Sequence, residues 1–465
     1  MKTFAAFRRA IIHLMSKSDE AVDAGNLLDY SQWTPLHRMV LVLAALAIIF
    51  DGFDNQVLSF SIPALVKEWQ VERGAFAPIL AAGMVAMALG TLAAGFLGDR
   101  LGRKKALIGS VLVFGGATLA TALVHGMWSL GILRIIAGAG LGGAVPNATT
   151  ISAEFTPIRR RALAVSMTIA CIPLGGALAG AIATRLLPTA GWQYLFATGG
   201  VAALVLAGLL AVALPESPRF LVRRPERWAE LTRLLTRLGH RVPDGARFVD
   251  KAEETKEKGQ VVQALFGPAM RRNTFSLWVC YFSCMFSVYV ALNWLPTLLA
   301  GQGFGLAQTS SGLAAYNFGG VAGALVCAWM INYFGSKLSM VAGCVGAILS
   351  AAYLWLAPPA AGNALPIVAI TIHGLFANAV QSTMYALAAH IYPTRVRAGG
   401  MAAAVAIGRL GGVASAFVGA SLVQMGPSNY FGTIAVTLTV TLIGLAVVGD
   451  HIPRFGENPR LSKLR

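Results

Sequence analysis

Asp51, Asp54 and Asn55 stand in the run FDGFDNQ, residues 50–56, inside a stretch otherwise apolar enough to cross a membrane. At spacings i, i+3 and i+4 they share one face of a helix. An ionisable side chain at membrane depth is costly to keep and marks a functional position by default. Two neighbouring carboxylates in such a place cannot both ionise cheaply, which suits the pair to taking a proton from one side and releasing it to the other. That is the chemistry of a proton-coupled carrier. No nucleophile–base arrangement and no set of metal ligands stands in the chain, so neither catalysis nor a metal or other cofactor is expected.

Further polar side chains interrupt other apolar runs. Arg134 precedes Gly138 and Gly142 on one helix face, where small residues let a neighbouring helix or a ligand approach closely. It is either the partner that neutralises one aspartate during proton transfer or a helix-packing cation. Arg409 offers a planar fork that fits a carboxylate in two places, unless it snorkels to the inner end of its helix. Glu154 closes an apolar run just before Pro157, as a gate or proton exit, or as a solvated cap. Asn378, Gln381 and Tyr385 form a polar stripe suited to a cavity wall, and Tyr316 with Asn317 adds to it. His373 is a proton relay or a hydrogen-bonded packing residue.

These residues need membrane-spanning helices to hold them. The chain has 465 residues, of which 56% are hydrophobic and 12% charged, and its mean hydropathy is +0.66. A span takes roughly 20 apolar residues. About twelve such runs are present, with cores at 39–60, 76–97, 106–124, 128–150, 162–186, 193–214, 274–299, 311–334, 338–358, 365–389, 398–425 and 430–449. The runs are continuous, which predicts helices rather than barrel strands. The net charge of +17 gathers in alternate loops: Arg100, Arg103, Lys104 and Lys105; Arg159, Arg160 and Arg161; most of 222–272; then Arg395 and Arg397. That is a topology signal placing both termini in the cytoplasm, and it argues against nucleic acid as a partner. The five cysteines fall in or beside spans and read as small apolar residues.

Residues 1–35 read as a cytoplasmic segment rather than a signal peptide, with an amphipathic helix in FAAFRRAIIHLM. A six-span bundle over 36–221 follows, then a cytoplasmic linker over 222–272 in which Trp228, Leu231, Leu235 and Leu238 predict a helix. A second six-span bundle occupies 273–450 and a cytoplasmic tail 451–465. AEFTPIRRRALAVSM (153–167) aligns with AHIYPTRVRAGGMAA (389–403) at a constant offset of 236, which pairs Pro157 with Pro393, Arg159 with Arg395 and Arg161 with Arg397. In the same register Arg409 stands where Pro173 does. The expected fold is all-α and integral to the membrane, with two pseudo-symmetric six-helix bundles and a binding site at their interface.

GFLGDRLGRKK (95–105) resembles the loop motif of the major facilitator superfamily, matched at Gly95, Asp99, Arg100, Gly102, Arg103 and Lys104. RIIAGAGLGGAVPN (134–147) and PESPRFL (215–221) resemble its fourth-span and sixth-span motifs. The C-terminal copy, NYFGSK (332–337), has Asn332 where Asp99 would repeat. DGFD and YPTRVRAGGMAAAVAIGRLGG (392–412) are similar to the aromatic acid:proton symporter branch. The resemblance covers nearly the whole chain. It implies import of a benzoate-like carboxylate with protons across the inner membrane, with Asp51 and Asp54 required and Arg397 and Arg409 also important; no interface with another copy is implied, so a monomer is expected. Arg134 and Glu154 then join the aspartates in proton coupling. Arg409 anchors the substrate carboxylate, beside Asn55, Tyr316, Asn317, Gln381 and Tyr385. Gly95, Asp99, Arg100, Gly102, Arg103 and Arg397 serve conformational gating, with Gly95 and Gly102 allowing close approach and Asp99 meeting a helix N-terminus or an arginine of a neighbouring span. A muconate-type diacid carrier and a drug:proton antiporter, suggested by IPLGGALAG (172–180), are the alternatives.

Overall fold

In a computed structural model, residues 22–243, 245–250, 265–268, 270–360, 365–392 and 396–454 are described. The first span is Pro35–Trp69, and its start is set by Pro35 in the first turn and by His37, whose ring accepts the Thr34 N–H at 3.1 Å. Ala77–Leu101, Arg103–Thr121 and Met127–Phe155 follow as spans two to four. The fifth is broken into Ile158–Ile169 and Cys171–Thr189. Pro173 explains the break, because it has no N–H to offer the carbonyl of Ile169. Trp192–Ala213 is the sixth span. After the linker come Arg271–Gly301, a continuous run Leu306–Leu356, Leu365–Ile391, Arg397–Met425 and Pro427–Val447. The long run turns at Gly335, where φ is +75°, so it supplies both the eighth and the ninth span.

Among the described residues, eleven segments are long and apolar enough to cross a membrane, against the twelve expected. The remaining helix, Arg103–Thr121, is present but opens on Arg103, Lys104 and Lys105, and it ends at Thr121 rather than at 124.

Glycine decides how closely the helices meet. The fourth span is wedged between the second and third: Gly142 sits against the Met87 carbonyl and Gly138 against that of Gly83, while Gly140 lies on the Phe114 backbone. A side chain at any of these would overlap backbone, so the interface admits only glycine. The two halves meet along repeat-related pairs, the fifth span on the eighth and the second on the eleventh, with the first on the seventh.

On the end that carries the basic loops, the linker helix Trp228–Arg237 forms as expected. It packs Leu231, Leu234 and Leu235 into a core with Leu28, Phe155 and Leu214. Two short parallel strands, Val22–Asp23 and Phe248–Val249, tie the chain start to the linker, a pairing no periodicity announced. Asp29 joins them electrostatically to the bundle through Arg161 and, at 3.1 Å, Arg219. The expected helix in FAAFRRAIIHLM and the tail beyond 454 lie outside the described residues.

Replacing Gly142 with valine is expected to destabilise the folded protein by about 1–3 kcal/mol or more, the range for forcing bulk into a filled interface. A lowered midpoint of thermal unfolding in detergent checks it, with exposed Gly208→Val as the neutral control.

Candidate functional site

Between the halves lies a cavity of about 120 Å³. The first span contributes Asp51, Asn55 and Gln56, the seventh Met285 and Tyr289, the eighth Asn317, the tenth Asn378, Gln381 and Tyr385, and the eleventh Arg409. The repeat mates Pro173 and Arg409 face this same space, as do Ile169 and Ala170 at the break in the fifth span. A second cavity of about 130 Å³ shares Ile169, Ala170, Ala324, Ser382 and Tyr385 with the first and continues past Leu163, Met167 and Ile331 toward the basic end. Toward the opposite end Phe60 and, from the other half, Ala314 pack on Gly180.

The electrostatics of the cavity centre on Arg409. Its guanidinium makes no hydrogen bond or ion pair among the described residues, yet its charge reaches Asp51, Tyr289 and Tyr385. A half-buried cation on an otherwise apolar helix, without a fixed partner, has donors free to take a carboxylate. The snorkelling arrangement is not adopted.

The two aspartates, one turn apart, do not share an environment. Asp51 looks into the central cavity. Asp54 lines a separate space of about 40 Å³ with Arg134, Gly138 and Asn293. Arg134 Nη1 lies 3.6 Å from Asp54 Oδ2 and donates to the Asp54 carbonyl at 3.4 Å. Thr118 Oγ1 donates to Asp54 Oδ1 and accepts from Arg134 Nη2 at 3.2 Å. The guanidinium also stands 5.3 Å over the Phe196 ring. Arg134 therefore neutralises Asp54, and its glycine neighbours admit the second span. Asn55 lines both spaces and is the seam between them.

Gln56 was not singled out by its spacing, yet it makes a polar link between the halves. Its Nε2 donates to Asn317 Oδ1 at 3.2 Å, and Asn317 Nδ2 donates to Gln56 Oε1 at 2.7 Å. Gly176 leaves room for the Gln56 amide, which a Cβ would strike. Tyr289 of the seventh span also lines the cavity, although no spacing marks it in the sequence. Gln381 and Tyr385 are on the wall as expected, Gln381 with its Nε2 3.1 Å from Met285 Sδ. Tyr316 is not. It is fully buried against His373, with ring centroids 6.0 Å apart, because it faces the tenth span while its neighbour Asn317 faces the cavity. His373 is held by Ser350 at 3.0 Å and the Ala347 carbonyl at 3.2 Å, which makes it a packing residue.

Asp99, near the end of the second span, pairs at 2.5 Å with Arg103, the first residue of the third, which is one of its two expected arrangements. Two other expectations at the basic end, for Gly95 and Glu154, are corrected. The anion at the N-terminus of the third span is Glu216, which accepts the Lys104 N–H at 3.0 Å and that of Ser217 at 2.9 Å. Gly102, at φ +105°, provides the close approach Glu216 needs, whereas nothing comes within 4 Å of a side chain placed at Gly95. Glu154 accepts a hydrogen bond from Ser217 Oγ and lines neither aspartate's cavity. Arg100 stacks on Phe96 at 4.0 Å and its carbonyl accepts from Arg224 at 3.1 Å. The Arg397 side chain lies outside the described residues.

Residues 44–416 and 277–460 match the family model described as Major Facilitator Superfamily. The chain is 32% identical over 428 residues to a gallate transporter of Pseudomonas putida, covering 92% of this chain and 93% of that one. It is 34% identical over 435 residues to the 4-hydroxybenzoate transporter PcaK of Acinetobacter baylyi, covering 93% and 94%. A 3-(3-hydroxy-phenyl)propionate transporter of Escherichia coli is 31% identical over 412 residues, covering 88% and 93%. The inward open conformation of the xylose transporter XylE from E. coli shares the fold, with a TM-score of 0.71 at 18% identity over 92% of this chain and 99% of that one.

The amide link generates its own test. Asn317→Leu orphans a buried amide and is expected to destabilise by roughly 1–3 kcal/mol. The double variant Gln56→Leu with Asn317→Leu should lose less than the two single losses summed, read from unfolding midpoints in detergent.

Proposed function

We propose that this chain, which belongs to the major facilitator superfamily and to its aromatic acid transporter branch, imports an aromatic carboxylate with protons by alternating access. The observation that carries the reading is Arg409, an unpartnered guanidinium on the wall of a cavity between the halves. The relatives named above are transporters of gallate, 4-hydroxybenzoate and 3-(3-hydroxy-phenyl)propionate, all of them ring-bearing acids. The chain is a transporter and not an enzyme.

Arg409 draws the substrate carboxylate by a bidentate, charge-assisted contact. Tyr289 and Tyr385 offer aromatic faces to the ring, worth about 0.5–1.5 kcal/mol per pair. Asn55, Asn317, Asn378 and Gln381 supply amides for ring hydroxyls. Asp51 competes for the same cation, so anion binding requires that Asp51 hold a proton. Once the substrate leaves on the other side, Arg409 favours ionised Asp51 and the proton departs. Coupling is therefore a matter of two anions and one guanidinium. Asp54, fixed by Arg134 and Thr118, is the second proton site.

The basic end is cytoplasmic by its charge, which puts both termini there and the protein in the inner membrane. The open path past Leu163 and Met167 then faces inward. Asp99, Arg103, Gly102 and Glu216 hold that end of the N-terminal bundle as one unit during the switch. All the walls of the site come from one chain, so a monomer suffices. Arg409 is the single cation among the described residues lining the cavity, which favours a monocarboxylate over a muconate-type diacid and disfavours cationic drugs.

Uptake of labelled benzoates into proteoliposomes under an inward proton gradient, with a protonophore control, tests the reading. Arg409→Ala is expected to weaken substrate binding roughly 10- to 100-fold without loss of folded protein. Asp54→Asn is expected to abolish accumulation against a gradient. Accumulation indifferent to the protonophore would remove proton coupling, and no uptake of any aromatic acid by folded protein would remove the substrate class.

A further inference from the structure

The small space beside Asp54 is polar, buried and underused by its own walls. Asp54 Oδ2 has no hydrogen-bond partner and only the Arg134 guanidinium nearby, at 3.6 Å. Across the space Asn293 Nδ2 has none either. The two residues are 2% and 5% exposed and belong to opposite halves, the first span and the seventh. An orphaned buried acceptor facing an orphaned buried donor is expensive unless something polar lies between them. A space of about 40 Å³ exceeds the roughly 10–15 Å³ that one water requires, and water needs two to four polar partners.

Its position differs from that of the central cavity. Ile79 and Leu80 come from the first turn of the second span, Arg134 from the early part of the fourth, and Asn293 from the last third of the seventh. All lie toward the end away from the basic loops. Asp51 opens instead onto the path that leads to the basic end.

We propose that this space holds a short water chain that exchanges protons between Asp54 and the outer side, and that Asn293 is the positioning residue that orients it. Asn293 Nδ2–H donates to a water, and that water donates its own O–H toward Asp54 Oδ2. A proton arriving at the outermost water displaces one along the chain. The last water gives its proton to Oδ2, forming the carboxylic O–H, and regains one from the water behind it. The incoming proton takes the Arg134–Asp54 pair from neutral to a net charge of +1, carried by the Arg134 guanidinium, which keeps its hydrogen bond to Thr118. Asp51, one turn away on the same helix, is the other charged group near Asp54, while Thr118 from the third span donates to it, Asn293 from the seventh lines the same space, and Phe196 from the sixth lies under the Arg134 guanidinium. The two aspartates thus have separate routes, an outer one for Asp54 and an inner one for Asp51. This inference rests on the proton-coupled reading.

The test uses the full chain in proteoliposomes loaded with a pH dye, and 4-hydroxybenzoate as the probe. Counterflow of labelled 4-hydroxybenzoate needs only the loaded carrier to cross and return, with its protons retained. Proton entry on adding the acid outside needs the whole coupled cycle. Asn293→Leu, which is apolar and fills the space, is expected to keep counterflow within about twofold of wild type. Its proton entry should fall by roughly tenfold or more. Asn293→Ser, which keeps a polar group and makes room for water, should restore most of it. Wild-type proton entry in the leucine variant would overturn the proposal. So would loss of counterflow in that variant, which would make Asn293 a substrate contact or a packing residue, and so would failure of serine to rescue. Absence of proton entry in wild type would instead sink the coupling reading itself, and this inference with it.

Discussion

A carboxylate inside an apolar bundle has to be met by a cation or by a proton, and the rest of this molecule is arranged around that requirement. Asp54 is met by Arg134, with Thr118 hydrogen-bonded to both. Asp51 is met across an open space by Arg409, which has no fixed partner. The first arrangement is a closed triad within one half, and the second spans the two halves and leaves room for a third charge. Even the glycine-rich fourth span serves the requirement. Only because Gly138 and Gly142 admit the backbone of the second span does Arg134 come near enough to lie beside the first.

How much of this was legible in the chain depended on the range of the interaction. The membrane class, the helical spans and the repeat follow from composition and periodicity, which are local or global properties of the string. That Arg134 partners one of the aspartates was legible because an intramembrane acid needs a partner and few cations are available; that the one is Asp54 comes from the packing. Asn317 and Tyr316 were grouped by adjacency, but neighbours on a helix point about 100° apart, so only one of them reaches the cavity. The placing of Glu216 rather than Asp99 at the N-terminus of the third span was not legible. Both are acids near the same loop, and the choice is made by how the sixth span returns past Gly102. Gln56 and Asn293 carry no signal of their own, since an amide acquires meaning only from what it faces.

The two halves have kept the same mechanical solutions with different chemistry. Gly102 and Gly335 both take positive φ at the turn into the third helix of their half. In the first half the exposed helix start is satisfied by the Glu216 carboxylate. In the second it is satisfied by main chain, with Ser336 N–H donating to the Ile452 carbonyl at 2.9 Å and Ile452 N–H to Ser336 Oγ at 2.8 Å. Burial and the nearby Lys337 keep the His451 imidazole below its ordinary pKa, so that ring adds no positive charge there at neutral pH. The first half thus has an ionic cap at this turn and the second a backbone one, and Asn332, at the repeat position of Asp99, bears on neither, since Glu216 is the cap in the first half. At the cavity the substitution runs the other way, where Pro173 breaks one helix and Arg409 places a cation on its mate.

The separation of Asp51 from Asp54 has an electrical consequence. Three residues of helix rise amount to about 4.5 Å. If the proposed water chain reaches Asp54 from the outer side, polar space approaches this interval from that side at Asp54 and from the inner side at Asp51, and the dry protein between them is thin. A membrane voltage falls mainly where the protein is dry. Much of the field would therefore be concentrated on the single turn around Asn55, and a charge moved across the whole field gains about 2.3 kcal/mol per 100 mV. In such an arrangement one helical turn acts as the dielectric of a capacitor, and the carrier answers to voltage as well as to concentration.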